Sequence, residues 1–317
     1  MSKDVNDKQK KIMNQEIKNP LLCDPASGVC EIPAGDEKTE SVKAVAGQKP
    51  VKILYYTDPI CSTCWGIEPQ LRKLKLEYGK YIDIEYRMGG LLPDWSYNSG
   101  GISKPSDVSY HWDEVSLHYD MPIDGDVWLE DPLDSSYPPS IAVKAAELQD
   151  KEKAVAFLRK LREFVFLEKK NITRWEHIQK AAAAVGLDTF QLKEDVKEKG
   201  KQLFEEDLSY GRSLGVRGFP TMFFSDADNN QCMVYGFKPY EIFEGAVQKV
   251  FPTAKKQQIV IDSPFSLFTH YPTLTPKEYA VLAEVSVEES TLQLEKLVQE
   301  GKLEKHAIKT GSLYKVK

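Results

Sequence analysis

Two cysteines separated by two residues, Cys61-Ser62-Thr63-Cys64, stand where a β-prone run gives way to a helical one. That placement constrains the fold more than any other stretch of the 317-residue chain. Val51 to Thr57 (VKILYYT) reads as a strand, Asp58-Pro59 as a turn, and Trp65 to Tyr78 as an amphipathic helix with Ile67, Leu71, Leu74 and Leu76 available for a buried face. Tyr81 to Met88 (YIDIEYRM) alternates apolar and polar residues and stops at Gly89-Gly90, which gives strand, helix, strand. A thiol at the start of that helix meets the positive end of the dipole and unpaired backbone N–H groups, both of which favour thiolate. Cys61 is therefore expected to be the nucleophile. Cys64, one turn further on, is expected to be the buried resolving thiol that attacks a mixed disulfide on Cys61.

The same spacing is half of a zinc site, and zinc needs two more ligands. Cys23, Cys30, Cys232 and five dispersed histidines offer no second pair at knuckle spacing, so a redox pair is the preferred reading, with no metal and no cofactor beyond the disulfide itself. Five cysteines are too few for a disulfide-stapled secreted scaffold, and in a reducing cytosol a close pair is reactive more often than structural.

Charge excludes some partners. Lys and Arg number 42 against 48 Asp and Glu, a net −6, so no global cationic field draws the chain to nucleic acid or to an anionic membrane surface. The first twenty residues lack the apolar core of a secretory signal, and no run of about 18 apolar residues appears. A soluble cytoplasmic protein is expected.

Residues 1–50 read as a tail carrying Cys23 and Cys30, with a linker over 31–50, and the ordered chain begins near Val51. Residues 91–136 hold many turn formers, and loops with one short helix are expected there. From Ser140 to Gly200 the pattern is helical, broken near Asn171-Ile172-Thr173 and Gly186-Leu187-Asp188, with Thr173 and Asp188 as N-caps. Thr221 to Ser225 and Cys232 to Tyr235 read as a β-hairpin, and Pro239 to Val250 as a closing helix. Residues 265–317 then give helix (Thr275 to Glu284), turn, helix (Val287 to Glu300) and two strands around Lys309-Thr310-Gly311, the outline of a winged helix. Its second helix carries Glu288, Glu289, Glu295 and Glu300 against Lys296 alone, so protein binding is preferred to DNA readout.

Val216-Arg217-Gly218-Phe219-Pro220-Thr221 precedes the hairpin and closing helix, the position at which a thioredoxin-like fold carries its cis-proline loop. With DPICSTCWG at Asp58 to Gly66, Met88-Gly89-Gly90-Leu91, and Ser136-Tyr137-Pro138-Pro139-Ser140 opening an inserted helix, residues 51–252 resemble the DsbA-like branch of the thioredoxin superfamily, and within it FrnE-like proteins and YjbH-like (SpxH-type) adaptors. The resemblance implies an α/β thioredoxin-like fold over 51–258 with a helical insertion at about 91–210, and the winged-helix-like outline read from the elements at 265–317 follows it. It implies dithiol–disulfide exchange or isomerisation on protein or small thiol substrates. Cys61 and Cys64 would be catalytic, and Phe219, Pro220, Thr221 and Trp65 would hold a substrate strand. The YjbH-like alternative implies a non-catalytic adaptor that delivers a regulator to the ClpXP protease. Ser62-Thr63 differs from the Gly-Pro of thioredoxin and the Pro-His of oxidising DsbA enzymes, which implies a middling potential, and bulky Phe219 is expected to narrow the groove.

Asp58, three residues before Cys61, is read as a turn or cap residue in preference to a proton carrier. Cys23 and Cys30 bracket a turn-rich segment, and three roles stand open: an accessory redox pair, a docking element, or an incidental pair. Cys232 is expected to be a buried small hydrophobe. Of the histidines, His111 and His118 alone share a helical spacing.

Overall fold

A computed structural model describes residues 30–31, 49–96, 103–228 and 230–317. In chain order, β1 (Cys30–Glu31) is followed by β2 (Val51–Thr57), α1 (Ser62–Gly66), α2 (Glu68–Tyr78) and β3 (Ile82–Met88). Leu71, Leu74 and Tyr78 of α2 are buried against the sheet. The break between α1 and α2 falls at Ile67, where Pro69 lies in the first turn of the second helix. β2 and β3 are parallel, paired from Val51 with Ile82 to Thr57 with Met88, as a strand–helix–strand unit requires.

The insertion after β3 comprises α3 (Pro105–Tyr119), α4 (Val127–Glu130), α5 (Tyr137–Glu147), α6 (Lys151–Leu167), α7 (Trp175–Ala184), α8 (Thr189–Asp195) and α9 (Lys199–Ser213). Residues 91–136, where one short helix was expected, hold the short α4 and also the 15-residue α3, opened by Pro105 at its first turn. Its Val108, Trp112, Val115 and Tyr119 form a buried stripe at helical spacing, which the turn formers around it masked in the sequence. Asp188 caps α8 by accepting from the N–H groups of Phe190 and Gln191. Thr173 is not a cap: it donates to Asn171, and α7 starts after Arg174.

The chain then returns through β4 (Gly218–Phe219), β5 (Thr221–Ser225), β6 (Gln231–Tyr235) and α10 (Tyr240–Val250). The sheet order is β3-β2-β5-β6, with β5 antiparallel to both neighbours. A fully covered β2 at the centre, with every residue buried except half-buried Lys52, accounts for the unbroken apolar run that marks it in the sequence.

The remaining residues form a second unit with its own apolar cluster of Leu267, Phe268, Leu274, Tyr279, Leu282, Leu294, Leu297, Leu303 and Tyr314. β7 (Thr273–Leu274), α11 (Pro276–Ala283), α12 (Val287–Gln299), β8 (Leu303–Ile308) and β9 (Gly311–Val316) build it, with the strands ordered β7-β9-β8. Thr275 and Glu278 cap α11 reciprocally. Glu278, with no exposed surface, also binds Arg72 of α2 at 3.2 Å and Arg159 of α6 at 2.8 Å, so a buried ion cluster fastens this unit to the first. Among the described residues, no helix is long and apolar enough to cross a membrane.

Candidate active site

The site is set by how β2 ends. After Thr57, Asp58 turns the chain: its Oδ1 accepts from Ile60 N–H at 3.0 Å, and its carbonyl accepts from Cys61 N–H at 3.2 Å. Cys61 is the N-cap of α1, and its sulfur accepts from the N–H of Cys64 at 3.2 Å. Both cysteines are thiols with no exposed surface. Cys64 is buried as expected, and Cys61, the expected nucleophile, is buried as well. Both lie under packed structure, because β2, α1 and the inserted helices close around the turn.

Burial pushes the Cys61 thiol up, and its hydrogen bond to Cys64 adds to the effect. Burial also opposes ionisation of Cys64, but the Cys61 hydrogen bond, the Arg162 guanidinium and the Thr57 and Tyr55 hydroxyls outweigh it and hold that thiol below its ordinary value. Ionisation is thus favoured at Cys64 and opposed at Cys61, the reverse of what a helix N-terminus alone predicts.

Arg162 is the residue that sequence reasoning missed. It is 1% exposed, and its guanidinium donates to Glu68 Oε1 at 2.6 Å, Thr57 Oγ1 at 2.5 Å and the Asp58 carbonyl at 3.3 Å. Its signal was present: on α6 it shares the apolar face of Phe157, Leu158, Leu161 and Val165, where a cation needs an internal partner. Glu68 is held below the usual carboxylate range despite burial, because Arg162, Arg159 and Arg72 surround it.

Asp58 serves the turn. Its Oδ2 accepts from Leu91 N–H and from Ser136 Oγ, both at 2.8 Å, so one carboxyl ties the thiol turn to the loop after β3 and to the start of α5. Burial pushes it up to about 6 against the pull of those hydrogen bonds. Thr63, between the cysteines, shares a hydrogen bond of 2.9 Å with the Tyr119 hydroxyl, which fixes the dipeptide to α3.

The structure brings Phe219, Pro220 and Thr221 beside Cys61 and takes Trp65 away from any groove. The Phe219–Pro220 peptide bond is cis, and the Phe219 carbonyl lies 3.8 Å from Cys61 Sγ. The Phe219 ring points inward: a Cβ on Gly89 would lie 1.8 Å from it, so glycine there makes room for the ring and the side chain does not narrow a groove. Thr221 Oγ1 donates to the Gly218 carbonyl at 2.7 Å and shapes the same loop. Trp65 is a core residue with no exposed surface, donating from Nε1 to the Pro122 carbonyl at 3.0 Å and lying beneath the Arg159 guanidinium.

Other candidates disperse. Cys232 is half-buried on the outer strand β6, because that strand covers only one face, which corrects the expectation of a fully buried position. His111 is buried in α3 while His118 is exposed, and the two do not converge. Cys23 lies outside the described residues, and of Cys30 the backbone of β1 is described. Among the described residues, no three His, Cys, Asp or Glu side chains form a group able to hold a metal ion.

Residues 54–245 match the family model described as Thioredoxin. The chain is 35% identical to the ClpXP adapter protein SpxH of Halalkalibacterium halodurans over 306 residues, which covers 94% of this chain and 97% of that one. The chain is an SpxH-type member of the thioredoxin family. The SpxH protein of Shouchella clausii, also a ClpXP adapter, is 30% identical over 308 residues and matches 96% of this chain and 99% of its own. In structure, this SpxH-type chain shares its fold with the cytosolic disulfide reductase DsbM of Pseudomonas aeruginosa, at 22% identity and a TM-score of 0.51, over 62% of this chain and 98% of that one. The likeness to the SpxH proteins spans the second unit as well as the thioredoxin part, whereas the likeness to DsbM concerns the fold alone.

Proposed function

We propose that this chain is a protein adaptor that binds a regulator and delivers it to the ClpXP protease. The observation that carries the reading is the 35% identity to an SpxH adapter over 94% of the chain, which includes the second unit. We read that unit as a winged-helix-like docking module. Its α12 exposes Leu292 (72%) and Glu289, and we assign the partner contact to that face. The reading goes with a cytoplasmic setting and with no nucleic-acid, membrane or metal partner.

The test is degradation in a reconstituted system. Substrates retained by a proteolytically inactive ClpP trap are compared in cells with and without this chain, and a protein enriched only in its presence is purified and mixed with ClpXP. Degradation accelerated about tenfold or more by the chain is the expected result, corresponding to about 1.4 kcal/mol of added binding. A trap whose contents do not depend on the chain overturns the reading.

A second reading is favoured by the thiol geometry: exchange of dithiols and disulfides at Cys61 and Cys64, without assignment of direction. Cys61 beside the Phe219 carbonyl, and a loop at Phe219, Pro220 and Thr221 whose backbone can hold a strand, suit that chemistry. Cys61 would attack a substrate disulfide, expel one substrate thiolate and form a mixed disulfide. Cys64 would then attack Cys61 Sγ, release the second thiolate and leave the Cys61–Cys64 disulfide, the only redox group required. Turnover of a model disulfide substrate in glutathione buffer, lost in Cys61→Ser, supports it. Wild-type turnover no faster than buffer removes it and leaves the adaptor reading untouched.

A further inference from the structure

A cleft of about 580 Å³ lies where the two units meet. Arg72 and Lys75 of α2 and Arg159 of α6 line it from the first unit, and the loop His270 to Thr273 with Lys315 of β9 lines it from the second. A volume of that order suits a small organic molecule, and junctions between units are where such sites collect.

The lining cations are matched in all cases but one. Arg72 pairs with Glu68 and Glu278, Arg159 with Glu163 and Glu278, Arg162 with Glu68, Lys160 with Glu163, and Lys315 with Glu304. Half-buried Lys75 forms no ion pair among the described residues: its Nζ donates to the Tyr86 hydroxyl at 2.7 Å and lies 5.1 Å from the centroid of that ring. An ammonium partly withdrawn from water and left with a neutral partner attracts an anion. Much of the remaining lining is aliphatic, with Val155, Ala156 and Leu158 of α6, Val185 after α7, and Pro272 and Val316 of the second unit. The rings of Tyr86 and Tyr271 already face Lys75 and Arg72.

We propose that this cleft binds a small organic carboxylate, whose charge pairs with Lys75 and whose aliphatic body covers the apolar lining. The charge count favours one negative charge over two. Glu68, Glu152 and Glu163 also line the cleft, and the other cations are engaged, so a phosphate meets repulsion that a single carboxylate largely avoids. Burial of the aliphatic body adds an attraction that a bare anion lacks. Since residues of both units line the cleft, an occupant touches α6 and the second unit at once and holds them together. The proposal depends on neither functional reading above.

The test is calorimetric titration of the full chain with sodium octanoate, with octanamide as the uncharged body and inorganic phosphate as the charge without a body. Saturable binding of one octanoate per chain is expected, with octanamide and phosphate each weaker by about tenfold or more, about 1.4 kcal/mol. Lys75→Gln is expected to weaken octanoate about tenfold and to leave octanamide unchanged, and Lys75→Arg to restore most of the loss. Ala156→Trp fills the cleft from an exposed position and is expected to abolish binding while circular dichroism stays that of wild type. Octanoate is also expected to slow amide exchange in α6 and in the loop His270 to Thr273 together. Octanoate binding that either Lys75→Gln or Ala156→Trp leaves intact overturns the proposal, as does the absence of saturable binding at millimolar concentrations. Octanamide or phosphate binding as tightly as octanoate overturns it as well. If Ala156→Trp alters the fold, the two Lys75 variants decide alone.

Discussion

The charges around the thiol pair and those on α12 follow opposite rules. Arg162, Glu68, Arg72, Arg159 and Glu278 are buried or nearly so and hold one another in fixed geometry, and the three arginines keep Glu68 below the usual carboxylate range. The acidic residues of α12 face solvent or pair at the surface, as Glu295 does with Lys305, and are screened. Buried charge in this chain tunes chemistry and joins the two units; exposed charge leaves a face open to a partner. Substitutions in the two regions should therefore differ in size and in kind.

The largest effect is expected from Arg162→Met. Glu68 loses its shortest ion pair while remaining buried, a change worth about 4 kcal/mol of stability by urea denaturation. The Cys64 thiol also loses its cation, so the pH profile of its alkylation should move upward. An unchanged profile would show that Arg162 acts on the fold alone.

Glu278→Gln is expected to cost about 3 kcal/mol, since Arg72 and Arg159 lose a shared buried carboxylate. Hydrogen exchange should rise first in α11, the element that carries it. Uniform loss of protection across both units would mean that the cluster does not act as a local fastening.

Asp58 sharpens the comparison through pH. Its folded value, pushed up to about 6, lies above the unfolded carboxyl, so the folded chain keeps this proton longer. The stability contributed by this group falls as pH rises from about 4 to 6, by about 2–3 kcal/mol. Asp58→Asn should remove that component from denaturation curves taken across the interval.

Gly89→Ala forces the Phe219 ring aside, with an expected cost of about 2 kcal/mol and altered reactivity at Cys61. Smallest in stability is Leu292→Ser on α12, expected within about 0.5 kcal/mol of wild type because the side chain is 72% exposed. Under the adaptor reading it should nonetheless weaken partner-dependent degradation, and a large loss of stability would remove α12 as an open face.

Much of the fold was legible because its signals are local. The apolar run of β2, the alternation before Gly89-Gly90 and the turn cluster between β5 and β6 each carry their own period or punctuation. α3 was legible only in part, since its buried stripe lies among turn formers. At the site, the thiol pair and the Phe219-Pro220-Thr221 loop announced themselves by motif. Arg162 did not, although a cation on the apolar face of α6 was there to be noticed; its partners Glu68 and Thr57 are about a hundred residues away in sequence. The Trp65 and Phe219 side chains show a related limit: nearness to a motif does not say which way a side chain points.

By itself, the sequence determined the strand–turn–helix that presents two thiols, the order of elements around it and the acidic character of α12, since these depend on residues close along the chain. Only the tertiary structure decided which thiol is held below its ordinary value, what Asp58 holds together and how the second unit is fastened. Those outcomes depend on burial and on ion pairs between distant segments, and the energy of a charge is set by what surrounds it in space.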